Sequence, residues 1–376
     1  MIAVPRVVLV GHDASATGAP LCALAWARWA ARTEAAAVEV VLDRGGPLVP
    51  DFEAVAPTHV RSPVAGEVVA AADALLGLAA GRWARRGAAL ASRSGSADDA
   101  TVVAASVAAW RSAAAMARGR SRLVLWLHEL DGVADRIVAP ADRALLLDAT
   151  DHIVAVGDRV ARQVTDRWGV DPDRVSVVGS FVDAPGSAGT PAAGPSPEVV
   201  AVGSLVPRKG AEHVVALAAL LRRDRPALRT AWVGGPLDGP YADLVRHDVR
   251  SAGLEGSFDL VGLVDDVDPW WPTDGVLVHL AREDPAPLVV LEAGLRSVPV
   301  VTWDTGGAAD LLRAAGLDHL VAAPGDLVAV AEAVATLLDD PGGRAEAGRA
   351  LRDATAPRTT DALAPVLLDA LVGGTR

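Results

Sequence analysis

Asp183-Ala184-Pro185-Gly186-Ser187-Ala188-Gly189-Thr190-Pro191-Ala192-Ala193-Gly194-Pro195-Ser196-Pro197 divides the chain. Its prolines remove amide donors and its glycines resist ordering, so neither helix nor ladder is supported. The run reads as a linker over residues 185–197. Before it, short β-branched runs alternate with long Ala/Leu/Arg segments. Arg6–Val10, Val38–Leu42, Arg122–Leu127, His152–Val156 and Arg174–Val178 read as strands, with helices over Gly18–Ala31, Glu67–Ala80, Val107–Ala117 and Asp158–Trp168. After it the alternation restarts. Val199–Val202, Thr230–Val233, Phe258–Val261, Val276–Leu280 and Pro299–Thr302 read as strands, and Ala211–Leu221, Tyr241–Ser251, Pro287–Leu295, Ala308–Ala314 and Leu327–Leu338 as helices. Strands apolar along their length and separated by helices belong to parallel sheets covered on both faces. The expected fold class is therefore α/β, with two doubly wound domains at 1–184 and 198–356. A last amphipathic stretch within 357–376 is followed by no strand and is expected to pack back on the first domain.

Bulk composition agrees with two cores, since 376 residues at 51% hydrophobic content exceed what one core ordinarily organises. Lys plus Arg number 35 against 47 Asp plus Glu, giving 35 − 47 = −12. That balance argues against a nucleic-acid surface and leaves at most a peripheral association with membranes. Cys22 stands alone, which excludes an intrachain disulfide and a cysteine-bound zinc, and fits a reducing compartment. The apolar run after Arg6 is too short for a signal peptide, and no stretch approaches the roughly 20 apolar residues of a membrane span. A cytoplasmic protein is expected. No His/Cys/Asp cluster has metal-ligand spacing, and no Gly-x-Ser-x-Gly elbow or Gly-x-Gly-x-x-Gly fingerprint occurs.

Four segments at expected strand ends carry the chemistry. The first is Ala281-Arg282-Glu283-Asp284-Pro285-Ala286-Pro287-Leu288-Val289-Val290-Leu291-Glu292-Ala293, a strand tip opening a helix. Pro287 suits a first helical turn, where a missing N–H costs little, and the Leu288 and Val289 amides then point toward an anion. Asp284 and Glu292 are placed to face a ligand crossing the sheet's carboxyl edge; the plainer alternative is an Asp-Pro loop with a solvated helical glutamate. The second segment, Val202-Gly203-Ser204-Leu205-Val206-Pro207-Arg208-Lys209-Gly210, puts two cations just before a helix, where they oppose its dipole. Holding an anionic ligand is one use for them; solvated surface charge is the other. The third is Gly11-His12-Asp13-Ala14-Ser15-Ala16-Thr17-Gly18-Ala19-Pro20, whose small residues let backbone approach a ligand. The fourth is Trp126-Leu127-His128-Glu129-Leu130, in which His128 is either a hydroxyl partner or a satisfied structural histidine, and Glu129 either joins it or simply orders the loop.

Together these segments resemble glycosyltransferase family 4. Asp284 and Glu292 occupy the positions of its paired acids, separated by seven residues. The first acid is more usually Glu, and a subclass reading Arg-Glu-Asp-Pro-Phe-Pro-Leu-Val matches here with Ala286 replacing Phe. The resemblance implies a GT-B fold, two facing Rossmann-like domains with an interdomain cleft, and a retaining hexosyltransferase that needs no metal or other cofactor. It implies catalytic roles for His128, Lys209 and Asp284. Glu292 would hold donor ribose hydroxyls, Asp284 sugar hydroxyls, and Lys209 with the Leu288 and Val289 amides the diphosphate. Gly18 would face phosphate and acceptor, and the neighbourhood of Gly262 the base. Family members carry an arginine where Ser204 stands, a charge that Arg208 would replace, and a glutamate where Asp310 follows Gly306-Gly307. The implied partners are a nucleotide sugar and a glycan or small-molecule acceptor. The alternatives are an epimerase or phosphorylase on the same fold, and a non-catalytic nucleotide-sugar-binding relative.

Overall fold

The computed structural model describes residues 4–61, 99–117, 121–185 and 196–373. The expected helix Glu67–Ala80 and linker residues 186–195 lie outside the described residues. The chain divides into two compact units, Met1–Asp183 with Thr360–Arg376, and Ala184–Thr359.

The first unit is built on seven strands: β1 Arg6–Gly11, β2 Ala37–Leu42, β3 Thr58–Val60, β4 Thr101–Ala104, β5 Arg122–Leu127, β6 His152–Ala155 and β7 Val175–Val177. All pair in parallel, in the order β3-β2-β1-β4-β5-β6-β7. Val7–Val10, Val102–Ala104 and Leu123–Leu127 are buried throughout, as a sheet covered on both faces requires. Trp26, Trp126, Phe52 and Phe181 supply the largest fully buried side chains. The second unit carries β8 Val199–Val202, β9 Thr230–Val233, β10 Phe258–Gly262, β11 Val276–His279, β12 Val300–Trp303 and β13 Val321–Ala322, again parallel, in the order β10-β9-β8-β11-β12-β13. In each sheet the strand order reverses beside its first strand, between β1 and β4 and between β8 and β11. Such switch points leave an open crevice at the strands' carboxyl ends.

The departures from the sequence pattern have local causes. The short strands β3, β4 and β13 offer too few residues for a period to show. The helix Pro341–Thr355 begins Pro-Gly-Gly, which reads as a turn. The Asp340 carboxylate overrides it by accepting from the Gly342 and Gly343 amides, each at 3.0 Å. The segment read as one helix from Asp158 is α-helical only to Arg162 and continues as a π turn, Gln163–Arg167. Pro287 is not in the first turn: it caps the helix with extended backbone (ψ 116°), and the helix itself is Leu288–Leu295. Thr360–Val372 is a helix of the first unit, packed on Gly18–Thr33 and against β4 and β6, with Ala364, Leu367, Leu368 and Leu371 buried.

Candidate active site

At the switch point of the second sheet, the loop after β8 and the loop after β11 are joined residue by residue. The Arg282 amide donates to the Arg208 carbonyl at 2.8 Å, and Arg208 Nη1 donates to the Glu283 carbonyl at 2.8 Å. Lys209 Nζ forms an ion pair and hydrogen bond with Asp284 Oδ2. Gly210 makes this approach possible. Its φ of 74° is left-handed, and a Cβ there would lie 2.4 Å from the Leu280 carbonyl oxygen. The next residues lock the same junction: Tyr241 Oη donates to Glu212 and accepts from the Ala211 amide at 3.1 Å, while Arg282 pairs with Glu212.

Asp284 is only 7% exposed. Burial alone would push its carboxyl up, but Lys209, with His279 and Arg208, overrides that and holds it far below the usual carboxylate range. His279, at the end of β11, is itself buried, with Nε2 3.4 Å from the same Oδ2. Burial lowers its proton affinity, partly offset by Asp284, and Lys209 and Arg208 lower it further. The Asp284 backbone is fixed from the other side by a parallel bridge to Gly306, and its carbonyl accepts from the Gly307 amide at 3.0 Å. A Cβ on Gly306 would sit 1.8 Å from that carbonyl oxygen. The glycine pair is thus a docking surface for the Asp284 loop, and Asp310 behind it is half-exposed on the helix Gly307–Ala314 near Arg313.

An α-helix leaves its first amides without intrahelical acceptors. Val290 N donates to the Pro287 carbonyl at 3.1 Å, which leaves the Leu288 and Val289 amides at the open end, four and five residues beyond Asp284. Glu292 follows inside the helix. Burial raises its proton affinity, opposed by Arg296 and supported by Asp268. Arg296 pairs with Asp268 and lies 5.4 Å over the Trp271 ring, so this tryptophan is a packing element. Ser204 is half-buried beside Gly203, over which the Lys209 stem lies at 3.7 Å from an ideal Cβ position. Gly234 touches Gly203 and donates to the Gly262 carbonyl at 2.8 Å. The tips of β8, β9 and β10 therefore form one glycine floor, and Gly262 (φ 87°) closes it.

The structure thus brings Arg208, Lys209 and Asp284 together, with the helix Leu288–Leu295 opening four residues beyond Asp284. Gly18 and His128 stand in the other unit. Gly18 is the first residue of the helix Gly18–Thr33, with open space where a side chain would project. Asp13 Oδ1 orders the preceding loop by accepting from Ser15 N (3.1 Å) and Ser15 Oγ (2.8 Å). His128 has a buried Nε2 without a hydrogen bond, and burial, reinforced by His12, pushes the ring's pKa down to about 3. Glu129 accepts from Ser106 Oγ (2.5 Å), Val107 N (3.2 Å) and His128 N (3.1 Å), which orders the loop and the histidine's backbone. Burial raises its proton affinity despite these bonds. Sequence reading missed His279, Glu212 and Tyr241. The first sits inside an apolar strand and the others in unremarked helix starts, so no local pattern points to them. Among the described residues no group of three or more His, Cys, Asp or Glu side chains could hold a metal ion, and no helix is long and apolar enough to cross a membrane.

Paired parallel sheets with this strand order define the GT-B fold class. The crystal structure of Anabaena HepE in complex with UDP-glucose superposes on 97% of this chain and 99% of its own at a TM-score of 0.77, with 18% identity. Residues 16–184 match the family model described as Glycosyltransferase Family 4, and residues 196–340 that described as Glycosyl transferases group 1. The two halves thus match, in order, two glycosyltransferase family models, the first of them of family 4. The D-inositol 3-phosphate glycosyltransferase of Kineococcus radiotolerans is 34% identical over 255 residues, covering 57% of this chain and 56% of that protein. D-inositol 3-phosphate glycosyltransferase 2 of Catenulispora acidiphila is 33% identical over 223 residues, covering 54% and 51%. The chain spans about half the length of these curated relatives.

Proposed function

We propose that the chain is a retaining hexosyltransferase that takes its sugar from a nucleotide diphosphate. The observation that carries this reading is the Lys209–Asp284 pair, formed four residues before the helix Leu288–Leu295 opens. A diphosphate leaving group needs its growing charge neutralised, and fixed cations plus free helix amides do that in a partly dehydrated site. Lys209 and Arg208 supply the positive charge, so that no metal is required, and the Leu288 and Val289 amides supply donors. The glycine floor ending at Gly262 offers flat backbone to a base, and Glu292 offers a carboxylate to ribose hydroxyls. Asp284 receives sugar hydroxyls. In the first unit, His128 presents a neutral ring nitrogen to a hydroxyl.

Retention follows if the diphosphate departs through an oxocarbenium-like state and the acceptor attacks from the same face. The acceptor O–C1 bond forms as the C1–O–phosphate bond breaks, and the leaving diphosphate takes the acceptor proton. The HepE complex with UDP-glucose and the inositol-phosphate glycosyltransferases support a nucleotide sugar as donor. The test is a screen of UDP-, GDP- and ADP-sugars for thermal stabilisation, where ligand at one hundred times its Kd adds about 2.7 kcal/mol, followed by NMR of the transferred product. Stabilisation by one donor and an unchanged anomeric configuration are expected; an inverted product, or an epimerised or phosphorolysed sugar, overturns the reading.

A further inference from the structure

Asp284 Oδ2 is faced by two nitrogens, one in a close ion pair and the other at the outer limit of hydrogen-bond distance. Lys209 Nζ holds it now. His279 Nε2 stands 3.4 Å away, buried and without a well-formed hydrogen bond. The two supports differ in freedom. Lys209 reaches in from a loop, on a flexible stem that is 17% exposed. His279 is anchored in β11, in register with Thr302 of β12, whose Oγ1 donates to the His279 carbonyl at 2.9 Å. If Lys209 turns to a donor diphosphate, as the reading above requires, a carboxylate 7% exposed loses its counterion and has little water to replace it. A stranded buried charge is strongly unfavourable, and the site contains one further nitrogen aimed at that oxygen.

We propose that His279 is a positioning residue that takes Asp284 over from Lys209 when an anion draws the lysine away. The ring's Nε2–H donates to Oδ2, so the carboxylate stays aimed at the sugar while the ammonium moves to phosphate. The charged groups facing the ring are Asp284, Lys209 and Arg208. Two of these are cations that disfavour a ring proton. Pairing Lys209 with an anion cancels one of them, so the same event that vacates Asp284 raises the ring's proton affinity and favours the protonated ring, whose Nε2–H donates with charge assistance.

The experiment is NMR of the full chain with 15N-labelled histidine, in two arms. In the first, ligand-free Lys209→Met is titrated against wild type. The His279 midpoint should rise by about one pH unit or more, and an unchanged midpoint overturns the proposal. In the second, wild type is titrated with UDP, GDP and ADP. Binding should move the His279 resonance in the direction seen in Lys209→Met; binding without that movement overturns the exchange but leaves the donor reading standing. Binding by none of the three overturns the donor reading, while the first arm still decides the role of His279. In turnover, His279→Leu should lower kcat about tenfold or more with donor KM changed less, and His279→Gln, which restores an N–H at similar reach, should recover most of it. Equal losses in both variants overturn the proposal.

Discussion

The two sheets share a strand order and differ in what their switch points carry. Beside β1 and β4 the side chains are His12, Asp13, Ser106 and, from β5, His128 and Glu129: a neutral imidazole and carboxylates that accept from hydroxyls and amides, Asp13 within its own loop and Glu129 across to Ser106 and Val107. Beside β8 and β11 they are Arg208, Lys209 and Asp284, tied across two loops and set before a helix. On the proposed function, one backbone geometry thus yields a hydroxyl-receiving edge in one unit and an anion-receiving edge in the other. The lesson is that the crevice is a property of topology, whereas its chemistry is a property of a few residues past each strand.

The sharpest break of that contrast is Lys209→Ala. Removing a positioned charge should lower kcat/KM of sugar transfer by about 10²–10³-fold, measured by steady-state kinetics; near-normal turnover would place the anion elsewhere. Gly306→Ala comes next. With a Cβ 1.8 Å from the Asp284 carbonyl oxygen, the Asp284 loop must shift, and kcat/KM should fall about 10- to 100-fold, as loss of orientation commonly does, while the first unit's edge is untouched. Glu292→Ala should weaken donor use by a comparable factor through KM, since a ribose contact is the same in ground and transition states; a loss confined to kcat would reassign it.

On the other edge the effects are smaller. His128 has a folded-state pKa of about 3 against about 6.5 unfolded. The unfolded chain therefore binds the extra proton first, and stability is lost as pH falls from about 6.5 toward 3. In His128→Asn, Tm should decline less steeply between pH 6.5 and 4.5, a window above that in which Asp284 responds; parallel curves would show that the ring is not held neutral. Gly18→Ala is the mildest. Nothing lies within 4 Å of the added methyl, so melting should show a gain of about 0.4–1 kcal/mol from reduced unfolded-state entropy. A raised donor or acceptor KM in that variant would place a ligand against Gly18.

How much of this was legible depended on range. Strands such as Val7–Val10 and Val276–Val278 announce themselves, because burial on both faces demands uninterrupted apolar residues. The Arg208-Lys209 tip and the Asp284 loop were legible as loops at strand ends. Their mutual contact was not, since a separation of 75 residues leaves no mark on either segment. The helix Pro341–Thr355 was hidden by its Pro-Gly-Gly start, which only the Asp340 cap reconciles with a helix. His279 was invisible for a related reason: inside Val276–His279 it reads as one more buried position, and its meaning comes from an aspartate five residues on, beyond the strand's own period.

The helix Thr360–Val372 returns the chain to the unit in which it began, where Thr360 hydrogen-bonds the Val182 carbonyl and the Asp183 carboxylate. The second unit is in effect an insert whose entry and exit, Asp183 and Thr360, are stapled together. A ribosome therefore finishes the β8–β13 body before the body it started is closed. A premature stop near residue 359 would spare the second unit and leave the earlier-made half with the apolar faces of Gly18–Thr33, β4 and β6 uncovered.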